Sequence, residues 1–172
     1  MKLSHLPHRD IKELYQFVTF RTYDSTDAFL QKLEQQNNLD NSKKQMQIND
    51  KLDYLNKGCY FYTDKLSYFY SLLKENDKIL YDLIAFAIMP NHIHILFKPH
   101  ERLPLIMQKI KGKSALELNK RLGRKGTFWL KDYYDKGIRD RHHFNIVYAY
   151  IKNNPMKLPE NNRAGRFYGI YE

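Results

Sequence analysis

Two apolar runs separated by three residues constrain this chain more than any other feature in it. Residues 80–88 (LYDLIAFAI) and 92–98 (HIHILFK) are each of strand length and rich in β-branched and aromatic side chains. Met89, Pro90 and Asn91 stand between them, and a proline cannot donate to a sheet ladder, so the chain turns there and the two strands run antiparallel. His92 and His94 are two apart, so both leave one face of the second strand. Ile93, Ile95 and Phe97 leave the other face and can enter a core. Two imidazoles displayed side by side suit two adjacent coordination positions of a divalent metal. They suit equally a pair of polar residues hydrogen-bonded to neighbours on a half-exposed strand.

The remaining elements are read around this hairpin. Residues 14–22 (LYQFVTFRT) predict a first strand, 26–36 a helix, and 37–45 a polar stretch that is either a loop or a helix extension. Residues 58–63 (GCYFYT) predict a short strand. A helix follows over about 64–76, with Leu66, Phe69, Tyr70 and Leu73 on one buried stripe. Residues 104–122 read as helical. Ser114 and Glu117 have capping-box spacing, which predicts a new helix beginning at Ser114 and stopping before Gly123. A last helix over about 141–153 is closed by Asn154-Pro155, because the residue before a proline is pushed out of helical geometry. Helices mixed with antiparallel strands make the class α+β. No Pro/Gly/Ser linker or internal repeat divides the chain, so residues 1–172 are expected to form one domain.

Charge narrows the partner. Lys and Arg outnumber Asp and Glu by 29 to 19, a net charge of +10, which points to a polyanion: nucleic acid or an anionic membrane surface. No apolar stretch reaches the roughly 18 residues a membrane span needs. The positive charges are also spread along the chain rather than packed on one amphipathic anchor helix, so nucleic acid is favoured and no membrane role is expected. The start, MKLSHLPHRD, carries no secretory pattern. Cys59 is the only cysteine, so no intrachain disulfide and no cysteine-rich zinc site can form. The expected setting is the reducing cytoplasm, in association with the nucleoid.

Fourteen tyrosines mean that none stands out by its presence alone. The last helix discriminates among its own. At 100° per residue Phe144, Val147, Tyr148 and Ile151 share one apolar stripe, which makes Tyr148 core. Tyr150 lies off that stripe, on a flank with His143 and Asn154. Tyr150 and Asn154 are at i and i+4, where side chains meet. Spacing alone allows a nucleophile beside a metal ligand, and equally an exposed tyrosine on a basic surface.

The segment AFAIMPNHIHILFKP at 85–99 resembles the His-apolar-His signature of the HUH endonucleases. It is more similar to the M-P-N-H-x-H block of the single-tyrosine (Y1), IS200-like transposases, above all their REP-associated branch. The likeness continues through IKGKSALELNKRLGRKG at 110–126, Trp129, YYDKGIRD at 133–140 and YIKNNP at 150–155, in the same order and spacing over roughly residues 14–157. The resemblance implies a central antiparallel sheet with packed helices, of ferredoxin or RRM-like type, with the histidine strand central and the tyrosine helix beside it. It implies a metal-dependent single-strand DNA endonuclease and strand transferase acting on hairpin-bearing DNA, in transposition or REP-element processing. Tyr150 would be the nucleophile that forms a 5′-phosphotyrosine. His92, His94 and Asn154 would hold Mg²⁺ or Mn²⁺. Lys111, Lys113, Arg121, Arg124, Lys125, Arg139 and Arg141 are the candidate DNA-binding residues, and Trp129, Tyr133 and Tyr134 candidate stacking platforms, with Trp129 equally suited to the core. The assembly implied is either a monomer or a homodimer that shares its sites. A domesticated DNA- or RNA-hairpin-binding module without chemistry is the rival reading; the joint presence of His92, His94, Tyr150 and Asn154 speaks against it.

Overall fold

A computed structural model of the chain describes residues 14–25 and 56–172. The helix expected at 26–36 and the polar stretch at 37–45 lie outside the described residues. Five strands form one antiparallel sheet: β1 (Gln16–Arg21), β2 (Tyr81–Ile88), β3 (His92–Pro99), β4 (Tyr134–Gly137) and β5 (Phe167–Gly169), in the order β4-β1-β3-β2-β5. Among the described residues three helices pack on it: α1 (Thr63–Glu75), α2 (Leu103–Leu122) and α3 (Arg141–Asn153). The α+β class and the central place of the histidine strand are both as expected.

The sheet divides the molecule into two layers, and strand alternation decides what each receives. On β3, Ile93, Ile95 and Phe97 enter a cluster with Val18, Phe20, Phe69, Leu73, Ile106, Ile110 and Trp129, which α1 and α2 cover. Leu96 enters a second, smaller cluster with Phe17, Ala87, Val147 and Ile151, which α3 covers. His92 and His94 share the face of Leu96. The register sets Thr19 opposite His94 and Arg21 opposite His92 on β1, and Ala87 opposite His94 on β2.

Two elements differ from expectation. Residues 58–63 form no strand: the amides of Tyr60 and Phe61 both donate to one acceptor, the Pro90 carbonyl (2.8 and 3.1 Å), which braces the β2–β3 turn instead of building a ladder. Ser114 starts no helix. It sits inside the continuous α2, where its Oγ donates to the Ile110 carbonyl (2.6 Å) and accepts from the Trp129 indole (3.0 Å). Its capping-box spacing is overridden because the hydroxyl is wanted by a tertiary partner. Gly123 closes α2 in the left-handed conformation (φ 61°), as the sequence predicts.

The chain beyond α3 passes through a 3₁₀ turn, Asn154–Lys157, and returns as β5 along β2. Arg166, 2% exposed, fixes this return by donating from Nη1 to the Ile88 carbonyl (2.9 Å).

Candidate active site

Both histidines are fully buried, and each is held by its Nδ1. His92 Nδ1 lies 2.7 Å from Asn91 Oδ1. The Asn91 amide nitrogen donates to the Lys57 carbonyl (2.9 Å), so its oxygen faces the ring, and His92 Nδ1 must carry the proton. The Nε2 of a neutral His92 is then the lone-pair nitrogen. His94 Nδ1 lies 2.7 Å from Thr19 Oγ1, a hydroxyl that accepts when the ring is protonated at Nδ1. The rings stand 4.8 Å apart at 78°, and their Nε2 atoms are buried with no hydrogen bond among the described residues. This is the tethering that orients imidazole ligands: one nitrogen anchored, the other presented.

The helix α3 delivers the tyrosine. Asp140 caps it by accepting from the His143 amide (2.8 Å), and Val147 and Ile151 seat it on the sheet. Tyr150 then projects toward β1 and β3, with its ring 5.2 Å from that of His94 and 5.9 Å from that of Phe17, edge-on in both cases. Tyr148 goes elsewhere. Its ring packs on Phe167, its hydroxyl accepts from the Tyr171 amide (3.2 Å), and a Cβ at Gly169 would collide with that hydroxyl. The C-terminal tail therefore covers Tyr148, and Glu172 ties down Lys152 (2.6 Å). His143 accepts from the Arg139 amide (3.2 Å).

Asn154, one turn after Tyr150, is 1% exposed, and neither its amide oxygen nor its amide nitrogen has a hydrogen bond among the described residues. A buried amide without partners costs about 1–3 kcal/mol, which is reason to expect a ligand there. The described residues contain no cluster of three or more His, Cys, Asp or Glu. A metal here would thus take two imidazoles and an amide oxygen, a donor set compatible with Mg²⁺ or Mn²⁺ and poorly suited to structural zinc.

The candidate DNA-binding residues do not form one surface. α2 lies across the sheet from Tyr150, and two of its cations, together with Arg124 just past its end, are engaged within the protein. Lys111 donates to the carbonyls of Leu130 and Lys131 (2.6 and 3.0 Å), and burial pushes its ammonium down to about 8. Arg121 pairs with Glu117 and Asp64 and lies over the Tyr68 ring. Arg124 pairs with Asp24 and lies over Tyr60. Lys113 and Lys125 are exposed on that same far side, whereas Arg139 and Arg141 are exposed at the start of α3, on the side of the tyrosine. Trp129 is core, with its ring against Phe20 and Phe61. Tyr133 packs against the same core, and Tyr134 against Phe17.

Sequence reasoning passed over two cations on the site side. Arg21, 5% exposed at the end of β1, stands opposite His92, and the strand register was its only signal. Lys157 holds its ammonium 5.2 Å from the centre of the Tyr150 ring. It lies at i+7 from Tyr150 and i+3 from Asn154, so a helical stripe extended one turn further was its sequence signal.

Among the described residues no helix is long and apolar enough to cross a membrane. The model of the IS200-like transposase family matches residues 54–154, more than half of the chain. An uncharacterised protein of Haemophilus influenzae is 27% identical over 143 residues, covering 66% of this chain and 69% of its own. A solved REP-associated tyrosine transposase, bound to a REP hairpin, superposes with a TM-score of 0.54 at 16% identity, over 90% of this chain and 73% of that one. At that identity the likeness speaks for the fold, which is the HUH sheet with its packed helices. With the family match over the histidine hairpin and the tyrosine helix, the chain belongs to the IS200-like transposases, a family of DNA-processing proteins.

Proposed function

We propose that this chain cuts and rejoins single-stranded DNA beside hairpins, with Tyr150 as the covalent nucleophile. The observation that carries the reading is the placement of the Tyr150 ring against His94, with Asn154 buried one turn further on. The hairpin as substrate rests on the REP-associated neighbour, which is bound to one.

A tyrosine phenol, with a pKa of about 10, is a weak nucleophile at neutral pH. It needs a polarised phosphate and in-line geometry. A divalent metal held by Nε2 of His92, Nε2 of His94 and the Asn154 amide oxygen would supply Lewis-acid polarisation of the phosphate, Mn²⁺ fitting two imidazoles more readily than Mg²⁺. The protein's own residues do the rest. Asn91 and Thr19 keep both imidazoles turned inward, and α3, seated through Val147 and Ile151, fixes the direction from which Tyr150 approaches. Attack by Tyr150 Oη forms the phosphotyrosine bond and breaks the bond to the 3′ oxygen. The phenolic proton is lost, the 3′ oxygen gains one, and no high-energy cofactor is consumed. The reverse attack by a 3′-hydroxyl joins strands, because the phosphotyrosine keeps the reactivity of a phosphodiester.

The test is incubation with labelled single-stranded hairpin DNA from the flanks of the chain's own gene, with Mn²⁺, with Mg²⁺ and with EDTA, read on a denaturing gel. The expected result is a covalent protein–DNA band that requires the metal. Tight hairpin binding without adduct or cleavage under any metal condition would instead establish a binding module without chemistry.

A further inference from the structure

We propose that Lys157 is a catalytic residue of the same reaction, binding a non-bridging oxygen of the scissile phosphate as Tyr150 attacks; this rests on Tyr150 being the nucleophile. Tyr150, Asn154 and Lys157 stand at i, i+4 and i+7, so they continue one stripe from the end of α3 into the 3₁₀ turn. Pro155 ends the regular helix without breaking that stripe. The side chain of Lys157 is half-buried and runs back along the turn, which brings its ammonium over the Tyr150 ring at 5.2 Å.

Among the described cations, Arg21 stands opposite His92 in the sheet register, and several others are engaged elsewhere. Lys152 is bound to Glu172 on the side of Tyr148. Arg139 and Arg141 lie at the opposite end of α3, more than two turns before Tyr150. Lys111, Arg121 and Arg124 are engaged on the far layer. The contact between this ammonium and the aromatic face is an attraction of about 0.5–1 kcal/mol where water reaches it. Its four-carbon stem lets it swing from the ring to an oxygen bonded at the ring's edge. Phosphoryl transfer places charge on the equatorial oxygens, and a cation already beside the attacking atom favours that charge without a large rearrangement. The division of labour is then between the histidine pair with Asn154, which would hold the metal, and Lys157, which brings a second positive charge to the same phosphate.

Lys157→Met keeps the length of the stem and its packing on the Tyr150 ring while removing the charge, and Lys157→Arg restores the charge. Single-turnover adduct formation would be measured at saturating hairpin oligonucleotide with Mn²⁺. DNA affinity would be measured separately in EDTA by anisotropy, and folding by circular dichroism. Lys157→Met is expected to slow adduct formation at saturation about 10–100-fold. Its DNA affinity should change less than about threefold, one phosphate contact among many. Lys157→Arg should recover most of the rate. A wild-type rate at saturation in Lys157→Met, or a loss confined to affinity, overturns the role of Lys157 while leaving Tyr150 in place. A wild-type protein that forms no adduct overturns both readings together.

Discussion

The two faces of the β3 strand make opposite use of burial. Ile93, Ile95 and Phe97 look into a layer of aromatic and aliphatic side chains in which Phe20, Phe61, Phe69, Phe128 and Trp129 contact one another, with ring centres 4.9–6.1 Å apart. One residue away along the same strand, His92 and His94 look into a layer where apolar packing is thin and polar atoms are buried: two Nε2 atoms and both ends of the Asn154 amide lack hydrogen bonds among the described residues. Aromatic pairs of the first kind contribute about 0.5–1.5 kcal/mol each beyond their burial. Polar atoms of the second kind cost stability unless a ligand satisfies them. One layer holds the sheet together, and the other gives up part of that stability to keep polar atoms buried.

That contrast can be broken by substitutions whose effects should separate by layer. The largest effect is expected from His94→Ala, which should lower metal-dependent adduct formation by about three orders of magnitude, as loss of a Lewis-acid ligand does. The unfolding transition should stay cooperative. A variant that keeps its rate would show that the pair serves only to hydrogen-bond Asn91 and Thr19. Next, Phe69→Ala on the other face should cost about 3–5 kcal/mol in a denaturant titration, through lost burial and a cavity. Its adduct rate should be unchanged under conditions where the variant is folded, and a rate that falls with stability would mean the layers are coupled. Ser114→Ala should cost about 1–3 kcal/mol, because it leaves the Trp129 indole N–H buried without its acceptor. Tyr148→Phe should be the mildest. It loses an exposed acceptor for the Tyr171 amide, worth about 0.5–1 kcal/mol, and should leave adduct formation intact.

How far the sequence carries the account depends on whether a feature is local. The β2–β3 hairpin is legible because period-two alternation and Pro90 act over neighbouring residues. Helical phase does not separate Tyr148 as core from Tyr150, since both are half-buried against the second cluster. The tail that covers Tyr148 is not legible, since it depends on β5 pairing with β2 from 80 residues away. Ser114 misleads because its capping geometry is competed for by Trp129, and Tyr60 and Phe61 mislead because their strand-forming residues donate to the Pro90 carbonyl. Net charge predicts an anionic partner but carries no information about which layer a cation joins. That is why the sequence could not tell Arg121 and Arg124, ion-paired on the far layer, from Arg21 and Lys157 on the side of the tyrosine.

The central claim is that chemistry in this fold belongs to Tyr150, and its most direct test is to locate the covalent bond. The adduct trapped with Mn²⁺ would be digested with nuclease and protease, and the modified peptide sequenced by mass spectrometry. The account predicts a nucleotide phosphate on the phenolic oxygen of Tyr150, in a peptide from α3, with Tyr148 unmodified. A phosphate on Tyr148, on a tyrosine outside α3, or on no tyrosine at all would contradict it.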